Sequence, residues 1–337
     1  MATSPIPTID LTSWTTNSPQ ERRQLAAHID QSLQTTGFLL VTGHGIDFAL
    51  PTRVRQAAHD FFHLPPAVKK RYAQNAGQEG WIGRGQVTTA HSEGTDTPPD
   101  LLEVWAAAAN STTHPPITQP ETAHPNTTHP HTTHHVPDIW PDEVPALRGL
   151  VAQYTERMRT LADTLLEAMA SALRQPADFF TRHTARPNWA FNINWYPAAR
   201  ETGAAAPGQF RIGPHTDFGL ITILDRQTGQ GGLQVHDDKD GWQDAPYEPG
   251  AFTLNIGDLM ARWSGGRWHS GRHRVLPPPA DAPGEELTSL VYFHACDPHT
   301  RITPLQAPLG RTPYDPVIAG DYIRDKLQAI TAGHGRK

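Results

Sequence analysis

Cysteine is all but missing from this chain. Cys296 is the only one in 337 residues, which excludes an internal disulfide and points to a reducing, cytoplasmic setting. It adjoins an apolar stretch, so a buried packing thiol is expected rather than a nucleophile. Long apolar runs are missing as well. No stretch approaches the ~20 residues that cross a bilayer, and the first residues lack the charged-then-apolar order of a secretion signal. No membrane partner is expected, and the sequons at Asn110 and Asn126 carry no weight without that signal. The third absence is a basic block. The 28 Lys and Arg are interspersed with 34 Asp and Glu for a net charge of −6, which argues against nucleic acid as a partner.

The length suits one large domain or two small ones. Ile6 to Leu11 reads as a short entry strand. Ser18-Pro19-Gln20-Glu21 has the form of a helix start, with serine as cap, proline in the first turn and glutamate placed to close a capping box. Leu25, Ile29 and Leu33 follow at helical spacing, and Gly37 is expected to stop that helix. Phe38 to Val41 is an apolar run typical of a buried strand. A second helix carries Val54, Ala58, Phe61 and Phe62 and ends before Pro65-Pro66. Gln78 to Gln86, with Trp81 and Arg84, reads as a glycine-punctuated loop. Leu147, Leu150, Tyr154, Met158, Leu161, Leu165 and Met169 form one stripe at helical spacing, a long helix that must bury that face.

From Trp189 onward the texture changes to short β-rich runs separated by Gly and Pro: Ala190 to Tyr196, Leu220 to Leu224, Leu233 to His236, Phe252 to Ile256 and Leu287 to His294. Such punctuation predicts a sandwich or barrel. Between the helices and these strands, residues 110–137 are rich in Thr, His and Pro. His114, His124, His129, His131, His134 and His135 all lie there. The stretch has no core-forming periodicity and reads as a surface insertion rather than a metal site.

The chemistry gathers in Gly213-Pro214-His215-Thr216-Asp217-Phe218-Gly219. Positions i and i+2 share a face of a strand, so the His215 imidazole and the Asp217 carboxylate can converge on one point. A third ligand is offered by His269 or by His273. Two histidines and one carboxylate on one face of an octahedron form the facial triad of non-haem iron(II) oxygenases.

Several segments together resemble the isopenicillin N synthase-like branch of the iron(II)/2-oxoglutarate-dependent oxygenases. They are Asn194-Trp195-Tyr196-Pro197, the run from His215 to Leu224, Gly231 to Val235, Pro249 to Phe252, Asn255 to Met260, His273-Arg274-Val275 and Leu287 to Phe293. Ile6 to Leu11, Gly37 to Gly45 and Phe61 to Pro65 match the N-terminal part of that family. The resemblance implies a mainly β, α+β fold: a double-stranded β-helix (jelly roll) backed by N-terminal helices. In such a fold residues 1–109 form the N-terminal helix and strand region, 110–137 the insertion, 138–185 the backing helix, 186–300 the catalytic core and 301–337 an extension. The resemblance assigns iron(II) to His215, Asp217 and His273, since His273 rather than His269 stands before the matching Arg-Val pair. The relatives that halogenate carry a small residue at the carboxylate position, so Asp217 argues for hydroxylation, desaturation or ring closure.

The same resemblance implies that 2-oxoglutarate chelates the metal. Oxygen then drives its decarboxylation to succinate and carbon dioxide, coupled to loss of hydrogen from a substrate C–H bond. Asn194, Tyr196 and Ser289 match positions around the oxoacid. The family grips the far carboxylate with an Arg-x-Ser pair, whose planar fork suits a carboxylate. Here Leu287 stands in the arginine's place. Another cation is therefore expected to serve, with Arg211 as first candidate and Arg262, Arg274 and Arg301 behind it; alternatively the oxoacid binds differently, or none is used. The substrate is expected to be a small specialised metabolite, with Trp81, Arg84, Phe218 and Phe293, and Tyr314 near the C-terminus, lining its pocket. The rival readings are an iron oxidase of the same fold that uses no oxoacid, and a metal-binding jelly roll without redox turnover.

Overall fold

The computed structural model describes residues 6–12, 14, 18–75, 78–109, 139–186, 188–229 and 232–331. The expected insertion at 110–137 lies outside the described residues.

Two facing sheets hold the functional residues. The larger has the order β1-β2-β10-β7-β12-β5-β4-β3. Its members are β1 (Thr8–Asp10), β2 (Phe38–Thr42), β3 (Gly80–Ile82), β4 (Glu103–Ala108), β5 (Trp189–Tyr196), β7 (Ile221–Asp225), β10 (Phe252–Ile256) and β12 (Leu287–His294). The smaller runs β6-β11-β8-β9, built from β6 (Ile212–His215), β8 (Leu233–Asp237), β9 (Gly241–Asp244) and β11 (His273–Val275). This is the expected double-stranded β-helix. β1 to β4 of the N-terminal region continue the larger sheet on both edges.

Alternation along the strands decides which residues enter the space between the sheets. On the outer face Phe191, Ile193, Ile223, Leu254, Leu290 and Tyr292 join the main hydrophobic core. The helices cover that face: α1 (Pro19–Leu33), α2 (Ala49–Phe62) and α3 (Ala146–Ala172). Every member of the stripe from Leu147 to Met169 is buried. Burying each large apolar side chain is worth roughly 1.5–3 kcal/mol, so the helical layer is fixed by its apolar face. The capping box of α1 is formed, with the Ser18 amide donating to Glu21 Oε2 at 2.9 Å. Cys296 is buried, and burial pushes its thiol up to about 12, as a packing residue requires.

Some local expectations shift. Helix α1 ends at Leu33, earlier than Gly37. Gly37 instead turns the chain into β2 at φ +75°, where an added Cβ would lie 2.0 Å from the His269 carbonyl oxygen. The supposed loop 78–86 contains β3, paired through Trp81 with Trp105 of β4. Two further helices bear on the site: α4 (Asp258–Trp263), and α5 (Ala319–Thr331) near the C-terminus, which sequence periodicity did not reveal.

Candidate metal centre and cavity

His215 ends β6 and His273 begins β11, and the two are direct partners in the antiparallel register. Asp217 follows β6 by two residues, where the chain turns toward β7. That turn is held by the first turn of α4, whose Asp258 amide donates to the Asp217 carbonyl at 2.8 Å. His215, Asp217 and His273 each offer one ligand atom, and these atoms lie within 4.8 Å of one another.

Each group is aimed by its other edge. His215 Nδ1 lies 2.8 Å from the Gly213 carbonyl and His273 Nδ1 lies 3.0 Å from the Gly271 carbonyl. A carbonyl only accepts, so Nδ1 carries the hydrogen of each neutral ring and Nε2 presents its lone pair. Asp217 Oδ2 accepts from Thr222 Oγ1 and Asn255 Nδ2, both at 2.6 Å, while Oδ1 stays 3.7 Å from His215 Nε2. Burial lowers the His215 pKa to about 4, helped by the nearby His273. Burial alone would raise Asp217, but the two histidines and the bonds from Asn255 and Thr222 outweigh it and hold the carboxyl below its usual value. Two bare imidazole nitrogens and an anionic oxygen facing one point, each backed by a hydrogen bond, form a donor set suited to a divalent cation such as iron(II).

The backing is built in. Gly271 must be glycine, because a Cβ there would meet the Phe38 ring at 2.2 Å and the Thr36 carbonyl at 2.5 Å. Asp100 is buried and accepts from the Gly213 amide at 3.0 Å and the Thr89 amide at 2.9 Å, which fixes the strand carrying His215. Its burial, opposed by those bonds, raises its pKa to about 6. His269, the competing third ligand, is exposed and outside the cluster.

A cavity opens beside the three residues. Asn194, Tyr196, Ser289 and Phe293 all line it, together with Leu224, Val291 and Leu287. The Asn194 Oδ1 is buried there without a partner among the described residues. Burial lifts the Tyr196 phenol to about 12, tempered by side-chain hydrogen bonds with Asn194 and Ser289. These polar groups form a patch beside the apolar surface of Leu224, Leu287, Val291 and Phe293.

Several residues that the sequence offered for the cavity do not line it. Arg211 does not face this cavity. It is 2% exposed, its Nη1 lies 2.6 Å from Glu285 Oε1, and it lines a separate hollow walled by Pro277, Pro278 and Pro279. Trp81 is buried in β3 with its Nε1 donating to Glu103 at 2.8 Å, so its ring serves packing. Arg84 is exposed on a turn away from the cavity, and Phe218 lies under Lys326 of α5, 5.5 Å from its ring centroid. Tyr314 also lies outside, stacked on Arg262 at 4.8 Å. Arg274 is spent on Gln234 at 2.7 Å and on the Trp242 face, and Arg301 is exposed. Arg226, which the sequence reading passed over, does line the cavity.

A second cluster of possible ligands, His59, His63 and Glu286, lies outside the cavity, and both of its histidines are exposed. It takes no part in the arrangement above.

Comparison with known proteins agrees with this architecture. Residues 6–143 match the family described as non-haem dioxygenase in morphine synthesis, N-terminal, and residues 187–295 match the 2OG-Fe(II) oxygenase superfamily. Validamycin A dioxygenase of Streptomyces hygroscopicus subsp. limoneus is 39% identical over 338 residues, covering 99% of this chain and 89% of that protein. A 2-oxoglutarate-dependent dioxygenase of Trichoderma harzianum is 28% identical, covering 86% of this chain and 84% of its own. Among solved structures, a 2OG-Fe(II) oxygenase family protein from Caulobacter crescentus superposes with a TM-score of 0.77 at 26% identity, over 97% of this chain and 100% of that one.

Proposed function

The chain belongs to the 2OG-Fe(II) oxygenase superfamily, and from that membership we propose that His215, Asp217 and His273 hold its iron(II) and direct the oxidation of a C–H bond in a small molecule. Iron(II), when bound, supplies oxygen activation coupled to the decarboxylation of 2-oxoglutarate. The observation that carries the residue assignment is the orientation of the three donors, each with its remote edge already hydrogen-bonded and its near edge bare.

The remaining work is done by the chain's own side chains. Thr222 and Asn255 keep the Asp217 carboxylate anionic and oriented, so Oδ1 is presented without a rotational search. Asn194, Tyr196 and Ser289 form the polar patch that receives the oxoacid. Phe38, Val291 and Phe293 wall the site with apolar surface that limits water and keeps other C–H bonds away from the reacting position. The similarity to validamycin A dioxygenase favours a substrate from specialised metabolism, either validamycin A or a compound of similar shape.

The test is to reconstitute the protein anaerobically with iron(II), admit oxygen with 2-oxoglutarate, and measure succinate and oxygen uptake across a panel that includes validamycin A. Substrate-dependent succinate, abolished in Asp217→Ala, is expected. Oxygen uptake without succinate would overturn the oxoacid reading in favour of an oxidase of the same fold. Turnover retained in Asp217→Ala would overturn the ligand assignment.

A further inference from the structure

Leu287 removes the arginine that should grip the far carboxylate of the oxoacid, and the cavity shows what stands in for it. Along β7, alternate residues Thr222 and Leu224 face the cavity, and the next position on that face is 226. The register of β12 on β7 pairs Val291 with Leu224 and Leu290 with Asp225. Continued by one residue, it sets Arg226 directly across from Ser289, the serine of the family's Arg-x-Ser pair. Position 287 would pair with 228 in the same register. Arg226 is therefore level with the serine, and one pleat nearer to the Asp217 end than a residue at 287.

The state of Arg226 is unlike that of Arg211 and Arg55. Arg211 is neutralised by Glu285 at 2.6 Å and Arg55 by Asp225 at 2.6 Å. Arg226 has no carboxylate partner among the described residues. Its Nη2 donates to the backbone carbonyls of Ala245, at 2.9 Å, and Pro246, and its guanidinium lies 5.5 Å from the Tyr247 ring centroid. Burial pushes its pKa down, yet a guanidinium stays charged in proteins. A half-buried cation with unused donors, on the wall of a cavity, favours an anion.

We infer that Arg226 is the relocated anchor: it binds the distal carboxylate of 2-oxoglutarate from the end of β7, beside Ser289 and Tyr196, and so replaces the arginine missing at 287. The packing around Leu287 fits this relocation. A Cβ on Gly229 would lie 2.6 Å from Leu287 Cδ1, so the leucine already fills the space beneath the turn that follows Arg226. Arg211 stands over Tyr196 at 5.4 Å, and Tyr196 is the register partner of Leu287. An arginine at 287 would therefore stand close to a second guanidinium. The inference rests on the oxoacid being the co-substrate, and it removes the main support for an oxoacid-free oxidase.

The test compares two probes on the anaerobic iron(II)-loaded protein: 2-oxoglutarate, and 2-oxobutyrate, which has the same chelating end and no distal carboxylate. Binding is read from the visible charge-transfer band, in wild type, Arg226→Gln and Arg226→Lys. Wild type is expected to prefer 2-oxoglutarate by a factor of about ten or more, the scale of a charge-assisted hydrogen bond. Arg226→Gln should lose most of that preference while its affinity for 2-oxobutyrate stays near wild type. Arg226→Lys, which keeps the charge and loses the fork, should fall between them. A purely structural role, stapling the turn at Ala245 and Pro246, would weaken both probes alike or lower the thermal midpoint, and would leave the ratio unchanged. An unchanged ratio in Arg226→Gln overturns the inference. Absence of any 2-oxoglutarate band in wild type would instead overturn the oxoacid reading itself.

Discussion

His215 and His273 are direct register partners on neighbouring antiparallel strands, with ring centroids 4.1 Å apart. Two imidazole lone pairs held this close can both be satisfied by one shared divalent cation. The pairing also separates His273 from His269, which is exposed. Replacing His273 by Ala is therefore expected to lose the bound iron(II), whereas His269→Ala should keep one equivalent. Iron content after anaerobic reconstitution and desalting checks this. The reverse pattern would move the ligand assignment to His269.

Thr222 and Asn255 touch Asp217 but not the metal position, so their effect should be on affinity. Both donate to Oδ2 at 2.6 Å, and without them the carboxylate can rotate and its pKa climbs toward the value that burial alone would set. Asn255→Ala and Thr222→Val are each expected to weaken iron(II) binding by about 10–100-fold, the usual cost of losing a partner behind a ligand. Competition with a chelator of known affinity reads this. Unchanged affinity would mean that the β-strands alone hold the carboxylate in place.

The strands that could be read from sequence are those packed on the core. β5, β7, β10 and β12 are apolar runs because their outer faces meet the helices while part of their inner faces is buried as well. β6 and β11 show no apolar alternation, because Ile212-Gly213-Pro214-His215 and His273-Arg274-Val275 give their positions to ligands and backing groups. Trp81 was misplaced for a related reason. An aromatic among glycines resembles a pocket wall, and nothing local reveals that its Nε1 is committed to Glu103. Arg226 was hidden by its setting in Asp225-Arg226-Gln227-Thr228-Gly229, which reads as a polar turn. The usable signal was period two: from Thr222 through Leu224, the third inward position is an arginine.

The insertion at 110–137 can be tested by removal. Its described flanks are anchored, since the Ala109 amide donates to the Trp189 carbonyl at 3.0 Å and Trp140 packs on Trp105 with centroids 5.5 Å apart. Closing a surface connection of different length changes stability only slowly, by roughly 0.6 kcal/mol per doubling. A short Gly/Ser link in its place is expected to leave iron stoichiometry at one equivalent and to shift the thermal midpoint little. Loss of iron on deletion would show that its histidines contribute ligands.

The acid side of stability should depend on His294. Its ring is fully buried on β12, Nε2 has no partner among the described residues, and Nδ1 is 3.4 Å from the Tyr292 hydroxyl. Burial, with a smaller contribution from the Arg159 charge, pushes its pKa down to about 4. The unfolded chain keeps the ordinary value of about 6.5. A base depressed in the folded state takes up its proton more readily when unfolded. Its stability contribution is therefore complete above about pH 6.5 and is lost as the pH falls toward 4, by at most about 3 kcal/mol. His215 shifts in the same direction, so the informative comparison removes His294 alone. Urea unfolding of metal-free wild type and His294→Leu, at about pH 7 and about pH 4.5, should show the wild type losing more stability than the variant across that window. Equal losses would mean that the buried pocket accepts the charged ring, with Tyr292 or a water taking its second proton.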